Sequence, residues 1–454
     1  MNKSKEFNAF KRKSPSKKFA RAIWSGMDLP ESWNYINIGE IAEIQGGYGF
    51  SSDNFGKEYS EDGTPLIKRK TVNNSDYPEQ YTVEDFDEKY EVNTGDVLVS
   101  MDGHFNSYMW PYQETAALNQ RVCKLSPSSN IITNKYLYYI LKPLLNHTQK
   151  SLGATTVKSL SMKDFNFMEP AIPPISEQER IASVLYSVDK KLEQLHARKE
   201  KHEKLKQGLM QDLLTGEKDV WNEIKVIEKV TSEPSDIIDK DWENVKLSDL
   251  FDTYKAGGTP KTSNDDYYSD KDTINKNNLY HFLKIDSITD NKYISEGSEI
   301  ITEQGLSEST ARLYDKNDLV LSIYGSYGKV GILSTEVAIS QAMIGIKPNK
   351  NKVNTEYLYY LLDSLDSTYD SLASGTTQQN LSKSLISLID VNIPPLWEQE
   401  RIASVLYIVD EIINNTDNLI EKNERLKQGL MQDLLSGKIR TPKELDSLEE
   451  VIES

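Results

Sequence analysis

The sequence has one cysteine, Cys123, and five histidines in 454 residues. A lone cysteine forms no intrachain disulfide and no thiolate zinc cluster, and it suits a reducing cytoplasm. The histidines (His104, His147, His196, His202 and His281) show no metal-ligand spacing. No apolar run approaches the ~18 residues that span a bilayer, and the basic N-terminus lacks the apolar stretch of a signal peptide. The expectation is a cytoplasmic protein without a membrane partner. A glycine-rich cofactor loop after a strand is missing. So is an Asn-Pro-Pro-aromatic motif, because Ile172-Pro173-Pro174 and Ile393-Pro394-Pro395 lack the polar residue that would hold an amino group. Gly325–Lys329 has the look of a phosphate loop, but its spacing is short and Val330 stands where Ser or Thr is required. The chain is therefore expected to be non-catalytic and to bind no metal or cofactor.

Positive charge is also short: 53 Lys and Arg face 70 Asp and Glu, a formal net charge of -17. This weighs against nucleic acid less than it first suggests. Placement governs the field near a ligand, and exposed charges beyond a Debye length of about 8 Å are screened. Residues 1–24 are basic and the tail 438–454 ends acidic; both read as solvated termini.

What the chain has is a repeat. Gln178-Glu179-Arg180-Ile181-Ala182-Ser183-Val184-Leu185-Tyr186 returns unchanged 221 residues later at Gln399–Tyr407, and Leu205–Leu214 returns as Leu426–Leu435 at the same offset. Tyr136–Tyr139 matches Tyr357–Tyr360 likewise, and Trp33 and Trp242 each open a half. A period this long is a duplicated domain rather than a solenoid unit. The length also calls for more than one core.

Each half is a divergent globular region followed by a well-kept segment. The globular regions, 25–172 and 236–393, look mixed. Val97–Ser100, Leu319–Ile323 and Met343–Ile346 alternate as strands. Gly46-Gly47, Gly257-Gly258 and Gly325 mark turns. Tyr136–Leu144 and Glu356–Leu362 read as short helices. The kept segments, 173–216 and 394–437, read as long helices, entered at prolines and ended by Gly216 and Gly437. A linker, 217–235, joins the halves.

A four-then-three spacing selects Ile181, Leu185, Val188, Leu192, Leu195, Lys199, His202, Lys206, Leu209 and Leu213 in the first helix. In the second it selects Ile402, Leu406, Val409, Ile413, Thr416, Ile420, Asn423, Lys427, Leu430 and Leu434. Matching seams imply that the helices pair with each other. Packing on their own domains alone does not explain a seam of nearly forty residues, about 60 Å. Gly208 and Gly429 interrupt good helix sequence. Either the helix loosens there or a neighbouring backbone comes close.

A divergent region, Ile-Pro-Pro, Glu-Gln-Glu-Arg-Ile-Ala and a helix ending Leu-Lys-Gln-Gly-Leu-Met-Gln-Asp-Leu-Leu, all present twice, resembles the specificity subunit of type I restriction–modification systems. The resemblance covers about 25–440. It implies an α+β fold, in which two mixed α/β target recognition domains are separated by a long antiparallel two-helix coiled coil with a pseudo-two-fold axis. It implies that each domain reads one half of a split, asymmetric double-stranded DNA site, and that the coil sets the spacing and seats two methyltransferase subunits. Restriction (nuclease-translocase) subunits join that core. S-adenosylmethionine, ATP and Mg are expected on those partners. Two alternatives are a fused restriction–methylation enzyme and a DNA-mimic or scaffold protein that binds such subunits without reading DNA.

Base edges call for Arg, Lys, Asn, Gln, Ser or Thr, and phosphates mainly for basic or hydroxyl groups. The first region offers Lys68, Arg69, Lys70, Asn73, Asn74, His104, Asn106, Ser107, Gln120, Arg121, Thr155, Thr156 and Lys158. The second offers Lys284, Tyr324, Ser326, Tyr327, Lys329, Gln341, Thr376, Thr377, Gln378 and Gln379 in comparable places.

Overall fold

The computed structural model describes residues 29–56, 63–128, 130–152, 158–217, 242–270, 278–289, 291–373 and 380–442. The chain divides into two compact units: Met1–His196 with Leu419–Ser454, and Ala197–Asn418. The division cuts both long helices near their middles. Each half of a long helix thus falls in the same unit as a globular domain.

In the first unit a four-stranded antiparallel sheet runs in the order Ala42–Gly46, Val122–Pro127, Val97–Ser100, Ser107–Met109. Beside it lies a five-stranded sheet in which Thr64–Ile67 runs parallel to Ala116–Leu118. The strands of both sheets are apolar on both faces at their centres, and Val97, Leu98, Val99, Ala116, Ala117 and Leu118 are fully buried. The helix Asn134–Ser151 starts at Thr133, whose hydroxyl accepts from the Tyr136 amide at 3.2 Å. It runs seven residues beyond the expected Leu144, straight through Pro143. Proline removes one backbone bond, yet Leu144, Leu145 and Thr148 continue the buried face, and packing overrides propensity.

The second unit repeats the plan. Phe251–Ala256, Met343–Pro348, Leu319–Ser322, Val330–Leu333 and Tyr293–Ile294 form one sheet, and Leu279–Leu283 runs parallel to Val337–Ile339 in the other. The helix Thr355–Asp363 matches the expected one to within a residue at each end. Asn354 caps it, accepting from Glu356 and Tyr357.

The long helices span Ile175–Thr215 and Leu396–Leu435, each starting just after its proline pair. Gly216 (φ 76°) and Gly437 (φ 72°) end them in the left-handed conformation that glycine tolerates. Gln178 and Gln399 explain part of the verbatim repeat. Gln178 is buried, accepts from the Thr133 amide and donates to the Ile131 and Pro173 carbonyls. Gln399 does the same with Asn354, Lys352 and Pro394. Each side-chain amide thus pins the start of a long helix to its domain.

Within the first unit, Ile181 and Leu185 share the domain core with Leu434, while Val188, Leu192 and Leu195 pack with Ile420 and Leu430. Numbers rise along one helix as they fall along the other, so the halves pair antiparallel. Within the second unit, Leu209 and Leu213 join Ile402, Leu406, Val409 and Ile413. The seam therefore serves two packings at once, helix on helix and helix on domain. Its lysines are paired across the seam. Lys427 meets Asp189 at 2.5 Å in the first unit; Lys206 meets Asp410 at 2.8 Å and Lys199 meets Asp417 at 2.7 Å in the second. Asn423 turns back on its own helix, donating to the Leu419 carbonyl, and His202 keeps a buried Nδ1 without a partner among the described residues. A Cβ built on Gly208 or Gly429 meets nothing within 4 Å. Close backbone approach is thus excluded among the described residues, and both glycines sit in unbroken helix.

Candidate nucleic-acid interface

In each unit the parallel strand pair delivers its chain to one end of the domain, and the candidate residues gather there. In the first, strand Thr64–Ile67 hands over to Lys68, which begins the short helix Arg69–Asn74. The Val97–Ser100 hairpin brings in 101–106, its turn made possible by Gly103 (φ 73°). The strand Ala116–Leu118 leads to Asn119-Gln120-Arg121. These loops are tied together. The Ser100 hydroxyl donates to Asn73 Oδ1 at 2.7 Å, Met101 N to the Arg121 carbonyl at 2.8 Å, and Gly103 N to the Lys158 carbonyl at 2.9 Å.

Charge on this face is partly spoken for. Lys68 donates to Gln80 and lies 4.0 Å over the Phe55 ring, and burial holds its ammonium below the ordinary lysine value. Lys70 pairs with Glu79 at 2.5 Å. Arg121 pairs with the buried Asp102 and sits at φ 79°, a backbone region that non-glycine residues seldom occupy. Arg69, Asn74, His104 and Gln120 are exposed, with no hydrogen bond or ion pair from their side chains among the described residues.

Ser107 is a correction. It is 1% exposed, in the strand Ser107–Met109, and its hydroxyl donates to the Tyr138 carbonyl. A buried hydroxyl has nothing to offer a ligand. Asn106 is turned inward as well: its amide donates to the Val72 and Asn73 carbonyls and accepts from Ser107 N. Asn106 and Asn73 shape the loops.

The second unit builds the same end. Lys284 caps a 3-10 turn, Ile285–Ser287, as Lys68 caps its helix, and pairs with Glu299. The hairpin after Leu319–Ser322 carries Tyr324, Ser326, Tyr327 and Lys329, with Gly325 at φ 66°. The Ser322 hydroxyl donates to the Ser326 carbonyl and accepts from Lys329 N, the part Ser100 plays in the first unit. Tyr324, Ser326, Lys329 and Gln341 are exposed. Tyr327 donates to Asp370 at 2.8 Å, and that bond raises its pKa. Thr155, Thr156, Thr376, Thr377, Gln378 and Gln379 lie outside the described residues, as do the basic N-terminal segment, the linker 217–235 from residue 218 on, and the acidic tail from 443.

Sequence reasoning missed the residues that aim these loops. Asp102 holds Arg121. Gln149, on the long helix of its domain, accepts from Phe105 N and donates to the Gly103 carbonyl, which fixes the hairpin. Neither has a local signal, since the partners of Gln149 lie 44 and 46 residues away.

Comparisons with known proteins bear on this arrangement. The family model for the type I restriction modification DNA specificity domain matches twice, at residues 30–205 and 239–425. The chain is 24% identical over 429 residues to the type I restriction enzyme EcoBI specificity subunit of Escherichia coli, covering 91% of this chain and 87% of that one. It is 26% identical over 440 residues to the MjaVIII specificity subunit of Methanocaldococcus jannaschii, covering 91% and 95%. Among solved structures, the S subunit of a type I restriction-modification system from M. genitalium matches with a TM-score of 0.57 at 15% identity, over 90% of this chain and 98% of that one, a likeness of fold. With both of its halves matched, the chain belongs to the family of type I restriction modification DNA specificity proteins.

Proposed function

We propose that this chain is the non-catalytic DNA-recognition subunit of a type I restriction–modification complex, with each domain reading one half of a bipartite, asymmetric double-stranded site. The observation that carries the reading is the pair of equivalent loop faces. Both are built by the same strands and turns, yet they present different side chains: Arg69-Lys70 against Ile285-Asp286, and His104 against Ser326. Equal frames with unequal faces suit two different half-sites. The face of the first unit carries cations despite the overall charge of -17, as local placement requires. A DNA-mimic or scaffold role does not account for these faces and is not favoured by the family.

The partner reading rests on the kept helices. Gln178, Gln399, Asp189, Asp410, Lys206 and Lys427 are retained in both copies for contacts within their units. Tyr186 and Tyr407 (38% and 41% exposed) and Leu205 and Leu426 (46% and 51%) are identical in both copies and face outward. Identical exposed residues on the two helices fit two copies of one partner, the methyltransferase subunits, with the paired helices setting the gap between half-sites. S-adenosylmethionine, ATP and Mg then belong to the methyltransferase and restriction partners. Among the described residues no helix is long and apolar enough to cross a membrane.

Mapping modified bases in DNA exposed to the chain assembled with its methyltransferase tests the reading. A two-part sequence with a fixed gap is expected, and modification without sequence preference would overturn it. Arg69→Ala should lower the slope of log affinity against log salt by about 1, because Arg69 is an exposed cation on that face without a side-chain partner among the described residues.

A further inference from the structure

The two loop faces differ at Lys70 and Asp286, at His104 and Ser326 and at Arg121 and Ala342, and this makes their agreements informative. Asn119-Gln120-Arg121 and Ser340-Gln341-Ala342 occupy the same turn of the same topology. Each turn follows the strand that pairs parallel with the neighbouring strand, Leu66 and Ile67 with Ala117 and Leu118, Phe282 and Leu283 with Ala338 and Ile339. Asn119 N donates to the Ile67 carbonyl at 3.2 Å, and Ser340 N to the Leu283 carbonyl at 3.0 Å. The turns close alike, Val122 N on Asn119 O and Met343 N on Ser340 O, both at 3.2 Å. The hairpin reaches each turn in the same way, Met101 N to Arg121 O at 2.8 Å and Ile323 N to Ala342 O at 2.9 Å.

Within this common frame the flanking residues change, Asn119 to Ser340 and Arg121 to Ala342, while the glutamine stays. Lys68 and Lys284 also agree, but both are engaged, one by Gln80 and the other by Glu299. Gln120 and Gln341 are exposed, and neither side-chain amide has a hydrogen-bond partner among the described residues. An amide left open at the same point of two faces that otherwise differ is free to meet a partner from outside. A primary amide presents one donor and one acceptor side by side. That pattern matches the N6 and N7 edge of adenine in the major groove.

We propose that Gln120 and Gln341 are equivalent base-reading residues, each set against an adenine, one in each half-site. The proposal rests on the DNA-recognition reading above and adds to it that the two half-sites share a base at matching places.

The test uses the complete complex with its methyltransferase and a randomised DNA library, comparing wild type with Gln120→Ala, Gln341→Ala and Gln120→Glu. Wild type should select a two-part sequence with an adenine in each half. Gln120→Ala should relax preference at one adenine of one half by roughly five- to a hundred-fold and leave the other half unchanged. Gln341→Ala should do the converse. Gln120→Glu should move preference at that position towards cytosine, whose N4 donates to a carboxylate. Loss of binding that is uniform over all sequences, or relaxation at a base other than adenine, would overturn the proposal. A wild-type complex that selects no two-part sequence would instead overturn the DNA-recognition reading.

Discussion

Removing the Asp410 carboxylate should cost the second unit about as much as any single change outside its apolar core. Asp410 accepts from the Tyr360 hydroxyl at 2.5 Å and pairs with Lys206 at 2.8 Å. Tyr360 belongs to the domain helix, Asp410 to the second long helix and Lys206 to the first, so one carboxylate ties three elements. A hydrogen bond to a charged acceptor is worth about 1.5–3 kcal/mol. The ion pair lies between the surface and buried limits, because the side chains of Lys206 and Asp410 are 22% and 15% exposed. Exposed pairs are worth about 0–1 kcal/mol and breaking buried ones costs about 3–5, which gives this pair about 1–2. Asp410→Ala should therefore destabilise by about 3–4 kcal/mol, and Tyr360→Phe by about 2.

Urea unfolding of the full-length chain, followed by circular dichroism, supplies the single and double variants needed. In the double variant the Tyr360→Phe cost should largely vanish, a coupling of about 1.5–2 kcal/mol, as expected for groups in one network. The first unit provides an internal replicate. Tyr139 donates to Asp189 at 2.8 Å and Lys427 pairs with it at 2.5 Å, so Asp189→Ala should cost a similar amount. An Asp410→Ala variant within about 1 kcal/mol of wild type, or strictly additive costs, would refute the claim that the three groups act as one joint.

Gly208→Ala and Gly429→Ala should each stabilise by about 0.5–1 kcal/mol in the same urea assay, since a Cβ at either position meets nothing within 4 Å. If the same variants also lower assembly with the methyltransferase, measured by pull-down, the partner's backbone approaches those glycines. Arg440→Ala should cost about 2–3 kcal/mol, because Arg440 is a bidentate partner of Glu177, which is 2% exposed and keeps Trp33 Nε1 at 3.0 Å as its other donor. Alkali should unfold the chain steeply above about pH 10. Burial raises the pKa of Tyr136, Tyr139, Tyr357, Tyr360 and Tyr369. The unfolded chain releases those protons near pH 10 while the folded one retains them, so stability is full below that pH and each ring takes away about 1.4 kcal/mol per pH unit above it. A thermal midpoint that stays flat from pH 9.5 to 11 would contradict this.

The long helices were legible because their signals are local. Proline pairs, left-handed glycines and a four-three seam all lie within one or two turns of the residues they describe, and the observed limits fall within two residues of the expected ones. The loop faces were half legible. Strand ends, turn glycines and clustered polar residues located them, but which polar residues stay free was decided by partners far along the chain. Asn106 is consumed by carbonyls 33 and 34 residues away, and Ser107 by one 31 residues away. Sequence alone cannot separate an asparagine that shapes a loop from one that the loop presents. The helix past Pro143 failed for a similar reason. Propensity argues for a stop there, and only the buried face of Leu144, Leu145 and Thr148 argues otherwise.

The repeat also separates two kinds of constraint that a single-copy protein would blend. Where identical residues in both copies are buried and bonded, as with Gln178 and Gln399, the fold itself explains their identity. Where paired positions are exposed and different, as with Lys70 and Asp286 or His104 and Ser326, their difference fits different ligands. The third class is exposed yet identical: Tyr186 with Tyr407, Leu205 with Leu426, Gln120 with Gln341. Among the described residues the tyrosine rings meet lysine ammonium groups at 5.4–5.6 Å, and large apolar groups left partly in water lower solubility rather than raise stability. Their identity therefore points outward, to something that meets both halves in the same way. On the helices this fits the proposed methyltransferase partner, met twice; on the loop faces it fits the proposed adenine in each half-site. Substituting one member of each pair separates these demands. Tyr186→Ala should weaken assembly and leave the selected sequence unchanged, whereas Gln120→Ala should change the sequence and leave assembly intact.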